Sequence, residues 1–130
     1  MKLRTRLIPC LILTMMLGAQ FVVTGQNRRA KTDPAFTAFW VKLKAAVARN
    51  DKARVADMTK LPFLLGGEEH DRAAFLKEYP SLFDRSTRRC FAREKPTREG
   101  DFYEIFCDET IFYFGKVDGV WKFLEIGAND

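Results

Sequence analysis

Asp118-Gly119 separates two runs of β-forming residues near the C-terminus of this 130-residue chain. Asp-Gly is a preferred sequence for a two-residue β-turn, because both positions of a type I′ turn need positive φ angles. The turn fixes the register of the strands that it joins, and we therefore predict two long antiparallel strands at 110–117 and 120–127. The opposed pairs in this register are Phe114–Phe123, Lys116–Trp121, Tyr113–Leu124 and Ile111–Ile126.

Cys90 and Cys107 precede these strands, in segments that we predict to be two further strands at 88–95 and 100–107. A four-residue turn at 97–100 places the two cysteines opposite each other, at a separation of roughly 4.5–5.5 Å that a disulfide spans. The same register forms three more complementary pairs: Phe91–Phe106, Arg93–Glu104 and Arg89–Asp108. The sequence therefore predicts a four-stranded antiparallel meander with a Cys90–Cys107 disulfide, and two free buried thiols are the alternative.

Helices are predicted to precede this sheet. Asp33-Pro34 is typical of a helix start, because aspartate caps the N-terminus and proline suits the first position. Apolar residues then recur at the spacing of one helical face, which predicts a helix over 34–49. A short second helix follows Asp51. After an extended segment and a glycine pair, a third helix runs from Asp71 to Tyr79, where Pro80 is expected to end it.

The first 25 residues have the pattern of a secretory signal peptide. Three basic residues, Lys2, Arg4 and Arg6, precede an apolar stretch over 7–23, and Val23-Thr24-Gly25 offers a cleavage site. The stretch is also close to the ~17–25 residues that span a bilayer, so an uncleaved membrane anchor is the alternative. We expect cleavage near Gly25 and a periplasmic or secreted protein.

Export changes what the charge and the cysteines imply. The whole chain has 22 Lys and Arg against 17 Asp and Glu, and cleavage of the leader leaves 19 against 17. This weak excess and export itself argue against nucleic acid as a partner. An oxidising compartment favours the disulfide. After a flexible lead-in at 26–32, residues 33–130 are long enough for a single domain with one core.

Two features of the chain together resemble the nuclear transport factor 2-like superfamily. One is the helix that begins Phe36-Thr37-Ala38-Phe39-Trp40 and is followed by Asn50-Asp51-Lys52; the other is the final Asp-Gly-Val-Trp-Lys-Phe hairpin. The resemblance covers about residues 33–127. It implies an α+β cone, in which N-terminal helices pack on a curved antiparallel four-stranded meander, and a homodimer formed through the open sheet face. It implies no chemistry, since enzymes, binding proteins and accessory domains share both features.

The sequence has weak candidates for catalysis or metal binding. His70, the only histidine, lies in the acidic segment Gly66-Gly67-Glu68-Glu69-His70-Asp71. It lacks the further ligands of a zinc site and the spacing of a calcium loop, so we predict a solvated loop, no metal and no cofactor. Glu104 or Glu125 could act as a general base if it faced an aromatic interior, where burial raises a carboxyl pKa. Pairing of Glu104 with Arg93 is the alternative.

A dense basic run precedes and enters the predicted sheet, formed by Arg85, Arg88, Arg89, Arg93, Lys95 and Arg98. Alternation along a strand would divide these charges between two faces, which predicts a solvated sheet edge rather than a nucleic-acid site. A cell-envelope polyanion or another exported protein would suit this surface better.

Twelve Phe, two Trp and three Tyr predict an aromatic core or an aromatic-lined pocket. We expect an exported, non-catalytic module that binds a small apolar or amphipathic ligand, an exported protein or a second copy of itself. The alternative is a small cofactor-free isomerase or hydrolase that uses a buried carboxylate. Phe36 and Phe39 are assigned to the core. The expected ligand-binding residues are Trp40, Tyr79, Tyr103, Phe112 and Tyr113.

Overall fold

The computed structural model describes residues 31–128, so the predicted leader and residues 26–30 of the lead-in lie outside the described residues. Helices precede a four-stranded antiparallel sheet, as predicted for an α+β fold. The elements are α1 (Pro34–Ala48), α2 (Lys52–Asp57), β1 (Phe63–Leu65), β2 (Glu68–His70), α3 (Arg72–Leu82), α4 (Arg85–Arg93), β3 (Thr97–Glu99), β4 (Phe102–Cys107), β5 (Thr110–Val117) and β6 (Val120–Ala128). Between residues 31 and 128, no helix has the length and hydropathy needed to cross a bilayer.

Helix α1 confirms the helix predicted over 34–49. The Asp33 carboxylate accepts a hydrogen bond from the Ala35 N–H at 2.8 Å, and Pro34 occupies the first turn. These contacts satisfy an N–H group that a helix start leaves without an intrahelical partner. The buried face of α1 consists of Phe36, Phe39, Leu43, Ala46 and Val47. It packs in a core formed with the inward-facing side chains of the sheet.

The sheet has the strand order β3-β4-β5-β6, and its last turn is the predicted one. Asp118 and Gly119 have φ angles of 50° and 79°, as a type I′ turn requires. Two predicted pairs next to this turn are confirmed, Phe114–Phe123 and Lys116–Trp121.

Farther from the turn, a β-bulge corrects the predicted register. Tyr113 pairs with Glu125 instead of Leu124, and Ile111 pairs with Gly127 instead of Ile126. Because side chains alternate between the faces of a strand, one extra residue reverses the facing of all that follow. The bulge turns Ile126 toward the core and leaves Glu125 exposed, an exchange that avoids burying a charge.

The strand predicted at 88–95 is wrong, since this segment forms helix α4. The Asp84 carboxylate caps α4 by accepting from the Thr87 N–H at 2.8 Å. Cys90 and Phe91 are the buried residues of α4, while its arginines form a charged surface. Strand β4 pairs instead with the short β3, where Thr97 faces Glu104. The predicted strand pairs Phe91–Phe106, Arg93–Glu104 and Arg89–Asp108 therefore do not exist.

Helix α3 begins at the predicted cap, because the Asp71 carboxylate accepts from the Ala74 N–H at 2.8 Å. Its predicted end is wrong, since Pro80 lies within the helix, which runs to Leu82. Proline removes one donor from a helix. The last turn still closes, because the Phe83 N–H donates to the Tyr79 carbonyl at 2.9 Å, and both of these side chains are buried.

The segment around His70 is a hairpin strand rather than a loop. Strand β2 pairs with β1, and His70 faces Phe63. The turn between the two strands consists of Gly66 and Gly67, both with positive φ. This glycine pair therefore reverses the direction of the chain in a tight turn.

Candidate ligand-binding clefts

Four of the predicted ligand-binding residues, Trp40, Tyr79, Tyr103 and Phe112, pack into the aromatic core. Tyr79 is stacked on Phe83, with ring centroids 4.8 Å apart. Tyr103 is stacked on Phe36, with ring centroids 3.6 Å apart. Phe112 is buried and contacts the edge of Phe91, with ring centroids 5.0 Å apart. Trp40 is half-buried on α1, and its ring also lies against Phe91. These rings fill the space between the helices and the sheet with aromatic contacts.

Tyr113 lies on the opposite face of the sheet from Tyr103 and Phe112. It pairs with Glu104, whereas Phe112 pairs with the buried Ile105. The half-buried Tyr113 ring contacts Phe102, with centroids 5.7 Å apart. The five predicted residues therefore do not line one common pocket.

The carboxylates considered as general bases both lie away from the core. Glu104 is half-buried on the face that also carries Tyr113, and Glu125 is exposed beyond the bulge. One carboxylate that does contact a core aromatic side chain is that of Asp33, which accepts from the indole N–H of Trp121 at 3.2 Å. The Ala35 N–H, together with Lys116 and Trp121, holds the pKa of Asp33 below its usual range. Asp33 therefore remains ionised at neutral pH and is a poor proton acceptor.

A cleft of about 420 Å³ lies between α1 and the β5–β6 turn, and we refer to it as the apolar cleft. Its wall consists of Ala35, Ala38, Phe39, Lys42, Met58, Gly119, Val120, Trp121 and Lys122. Phe39 and Trp121 are largely buried, and Val120 is exposed. Two lysines are the charged residues of the wall. The Lys122 ammonium donates to the Asp57 carbonyl at 2.6 Å, which holds this side chain against α2.

Sequence reasoning did not locate the apolar cleft. The sequence predicts Phe39 as a core residue and Trp121 as a strand residue. Their meeting with Met58 depends on a bridge between Thr59 and Phe123, which carries the chain after α2 alongside β6. No local pattern encodes this contact, because the paired residues are more than 60 positions apart in the chain.

A more polar cleft of about 430 Å³ lies where α3 and α4 approach the β4–β5 turn. Its wall includes Asp84, Asp108 and Glu109, together with hydroxyl side chains and the edge of Phe112. Within residues 31–128, no three His, Cys, Asp or Glu side chains are grouped closely enough to hold a metal ion.

The outer face of the sheet, on the side away from α1, carries an apolar surface that we call the outer sheet face. Phe102 and Phe106 are 37% and 43% exposed there. Side chains from two further strands continue this surface: Ile111, Tyr113 and Val117 from β5, and Val120 and Leu124 from β6.

The predicted disulfide is confirmed. Cys90 and Cys107 are bonded, with a Cα–Cα distance of 5.7 Å. The bond joins α4 to the end of β4, rather than two neighbouring strands. It fixes α4 against the edge of the core, beside the contact between Phe91 and Phe112.

No family model matches the chain, and no curated protein or solved structure shows significant similarity to it. The resemblance to the nuclear transport factor 2-like superfamily therefore stays a prediction.

Proposed function

We propose that the protein is a non-catalytic binding module whose apolar cleft holds a small amphipathic ligand. The observation that carries this proposal is the wall of the cleft, where Phe39, Met58 and Trp121 provide apolar surface and Lys42 and Lys122 provide charge. Small-molecule sites are typically apolar, with a few placed polar groups that fix the ligand's orientation. An acyl or aryl body against the aromatic side chains, with a carboxylate near the lysines, matches this wall.

The placement of the acidic residues favours binding over the enzymatic alternative. Neither Glu104 nor Glu125 faces the aromatic core, and Asp33 has a lowered pKa. A carboxylate general base at neutral pH requires a raised pKa instead.

We also infer that the fold is a nuclear transport factor 2-like cone and that the protein is exported. The layer of helices on one face of a four-stranded meander supports the first inference. The Cys90–Cys107 disulfide supports the second, because disulfides persist in oxidising compartments. The intact mass of the protein purified from its own host would test export. A chain that begins at Gln26 supports cleavage of the leader, and a chain that retains residues 1–25 contradicts it.

Ligand binding can be tested with decanoate as the amphipathic probe and decanol as its uncharged analogue. Tryptophan fluorescence should respond to both, because Trp121 lines the apolar cleft. Ala38→Phe should reduce decanoate affinity by about tenfold or more by filling the cleft. Ala73→Phe, at an exposed position on α3 outside the cleft, is the matched control and should bind normally. Lys42→Gln should weaken decanoate more than decanol. Absence of binding by both probes would contradict the proposal.

The outer sheet face supports a second role, as an interface with another copy of the chain. Monomeric proteins seldom leave large side chains such as Phe102 and Phe106 together on an open apolar surface. Phe106→Lys should convert a dimer to a monomer in sedimentation velocity. Val41→Lys is the control, because Val41 is an exposed apolar residue on α1, away from this surface. A wild-type protein that is monomeric at high concentration would contradict the role.

A further inference from the structure

A third cleft, of about 420 Å³, lies where the start of α2, the end of α3 and the start of α4 meet. Its wall consists of Asn50, Lys52, Tyr79, Pro80, Phe83, Asp84, Arg85 and Arg88, and we call it the basic cleft. It shares no residue with the apolar cleft. An adjoining hollow of about 320 Å³ extends its positive surface, with Arg85, Arg88 and Arg89 in its wall.

The helical form of α4 brings these cations together. Arg85 and Arg88 are three residues apart and so lie on one side of the helix, whereas in a strand they would have pointed to opposite faces. Lys52, from the first turn of α2, completes the set. Within the described part of the chain, none of the three forms an ion pair with an Asp or Glu.

Asp84 lies in the wall of the basic cleft, and Asp51 lies beside it in the chain between Asn50 and Lys52; each carboxylate accepts a hydrogen bond from a helix N-terminus. The Asp84 carboxylate accepts from the Thr87 N–H at 2.8 Å, and this bond lowers the Asp84 pKa. The Asp51 carboxylate accepts from the Arg54 N–H at 3.2 Å. Each of these acids therefore caps a helix, and the basic side chains keep their hydrogen-bond donors available for another acceptor.

Tyr79 adds an independent sign of a missing acceptor. Its side chain is 1% exposed, and its hydroxyl has no hydrogen-bond partner among the described residues. Buried hydroxyl groups are normally hydrogen-bonded. The ring is held by stacking on Phe83, with centroids 4.8 Å apart. Burial raises the pKa of Tyr79, so its hydroxyl remains protonated and can donate.

We propose that the basic cleft binds a small phosphate monoester, with Lys52, Arg85 and Arg88 around the phosphate. The Tyr79 hydroxyl, which is occluded in the unliganded cleft, becomes a further donor once the ligand displaces the wall beside it. A phosphate dianion neutralises more of this charge than a carboxylate does, and the planar guanidinium groups match its oxygens in pairs. Pro80 and Phe83 in the same wall provide apolar surface for the organic part of the ester. This site is independent of the ligand proposed for the apolar cleft.

Isothermal titration calorimetry of the oxidised protein with phenyl phosphate tests this assignment. Inorganic phosphate tests for a free-phosphate site, and benzoate tests for a carboxylate site. We expect phenyl phosphate to bind about tenfold more tightly than either. Equal affinity for inorganic phosphate would overturn the assignment of an ester, and equal affinity for benzoate would overturn the assignment of a phosphate. A lack of binding to phenyl phosphate would overturn the site altogether.

Two variants and one control locate the binding. Arg88→Gln should weaken phenyl phosphate binding by about tenfold. Arg93→Gln removes the same charge from an exposed position at the end of α4, outside the cleft, and should change affinity less than about twofold. Equal losses in the two variants would indicate general charge attraction and overturn the site.

Tyr79→Phe separates a role in binding from a role in folding. Removing a buried hydroxyl that lacks a partner should raise the melting temperature of the unliganded protein, while it weakens phenyl phosphate binding by about three- to tenfold. A variant that binds phenyl phosphate as the wild type does would overturn the role of the Tyr79 hydroxyl. A variant with a lower unliganded melting temperature would show that the hydroxyl already has a partner, and would also overturn that role.

Discussion

The indole N–H of Trp121 donates a hydrogen bond to the Asp33 carboxylate at 3.2 Å, although the two residues are 88 positions apart. The same carboxylate pairs with the Lys116 ammonium at 3.2 Å. The Asp33 N–H donates in turn to the Tyr103 hydroxyl at 3.0 Å. Asp33 therefore caps α1 and also ties the start of that helix to three strands of the sheet.

This arrangement predicts a loss of stability in acid. The pKa of Asp33 is lowered in the folded protein, so its stabilising contribution is present above the unfolded-state pKa of about 3.9 and is lost as pH falls through the folded-state pKa. Asp33→Asn should lower the melting temperature at pH 7 and reduce its dependence on pH between about 5 and 2. Asp84, whose pKa is also lowered, should account for part of the dependence that remains.

Melting curves recorded by circular dichroism across this pH range would check the expectation. Asp101→Asn is the control, because Asp101 is an exposed acid in the β3–β4 turn. The contribution assigned to Asp33 would be contradicted if both variants had the same pH profile as the wild type.

Loss of the disulfide should destabilise the protein by about 3 kcal/mol, because the bond closes a short loop and restricts the unfolded chain. Cys90 and Cys107 are 17 positions apart. Urea unfolding with and without reductant measures the effect. The Cys90→Ser/Cys107→Ser double variant should match the reduced wild type and should not respond to reductant. Equal stability of the oxidised and reduced wild type would rule out a structural role for the bond.

Phe91 and Phe106 should respond very differently to truncation. Phe91 is 1% exposed on α4, whereas Phe106 is 43% exposed on the outer sheet face. Phe91→Ala should cost about 3–5 kcal/mol of unfolding free energy, and Phe106→Ala should cost less than about 1 kcal/mol. Chemical denaturation of both variants, at a concentration where the protein is monomeric, distinguishes the helix from the strand pair that the sequence predicted. Similar costs would favour the strand pair.

Gly127 should tolerate no side chain without a change in Tyr113. A Cβ atom at Gly127 would lie 2.9 Å from Cε2 of the Tyr113 ring, closer than carbon atoms normally approach. Gly127→Ala should therefore cost about 1 kcal/mol or more. The cost should fall in a Tyr113→Ala background, because the obstructing ring is absent. A double-mutant cycle measured by urea unfolding checks this coupling, and strictly additive effects would contradict it.

The parts of the fold that could be predicted from sequence are those with a local cause. The Asp118-Gly119 turn determines its own hairpin, and Asp33-Pro34 starts α1 wherever that helix packs. The bulge in β6 has no such local signal. It follows from the tertiary advantage of burying Ile126 in place of Glu125.

Helix α4 shows how a correct contact can follow from a wrong element. Cys90 reaches Cys107 equally well from a helix beside the strand end and from a neighbouring strand. The predicted strand pair also placed Arg93 opposite Glu104 and Arg89 opposite Asp108, and these opposite charges favoured the strand over the helix. The Asp84 cap and the following arginines, which are good helix formers, were the local evidence for the helix.

The candidate sites were less predictable, because each cleft collects residues from distant parts of the chain. One part of the site prediction could have been rejected from the sequence pattern alone. Phe112 and Tyr113 are neighbours in a strand, so their side chains point to opposite faces and cannot line one pocket. The walls of the apolar and basic clefts depend instead on how the helices meet.

The bulge at Leu124 also places this scaffold one residue away from a different chemistry. In a strand of unbroken alternation, Glu125 would face Phe112 and point into the core, where a carboxylate becomes a stronger base. Insertion of one residue beside Leu124, with the bulge retained, would produce that arrangement, because it moves Glu125 from Tyr113 to Phe112. A single-residue insertion in β6 is thus a route by which an acid–base catalyst could arise from a binding protein on one backbone.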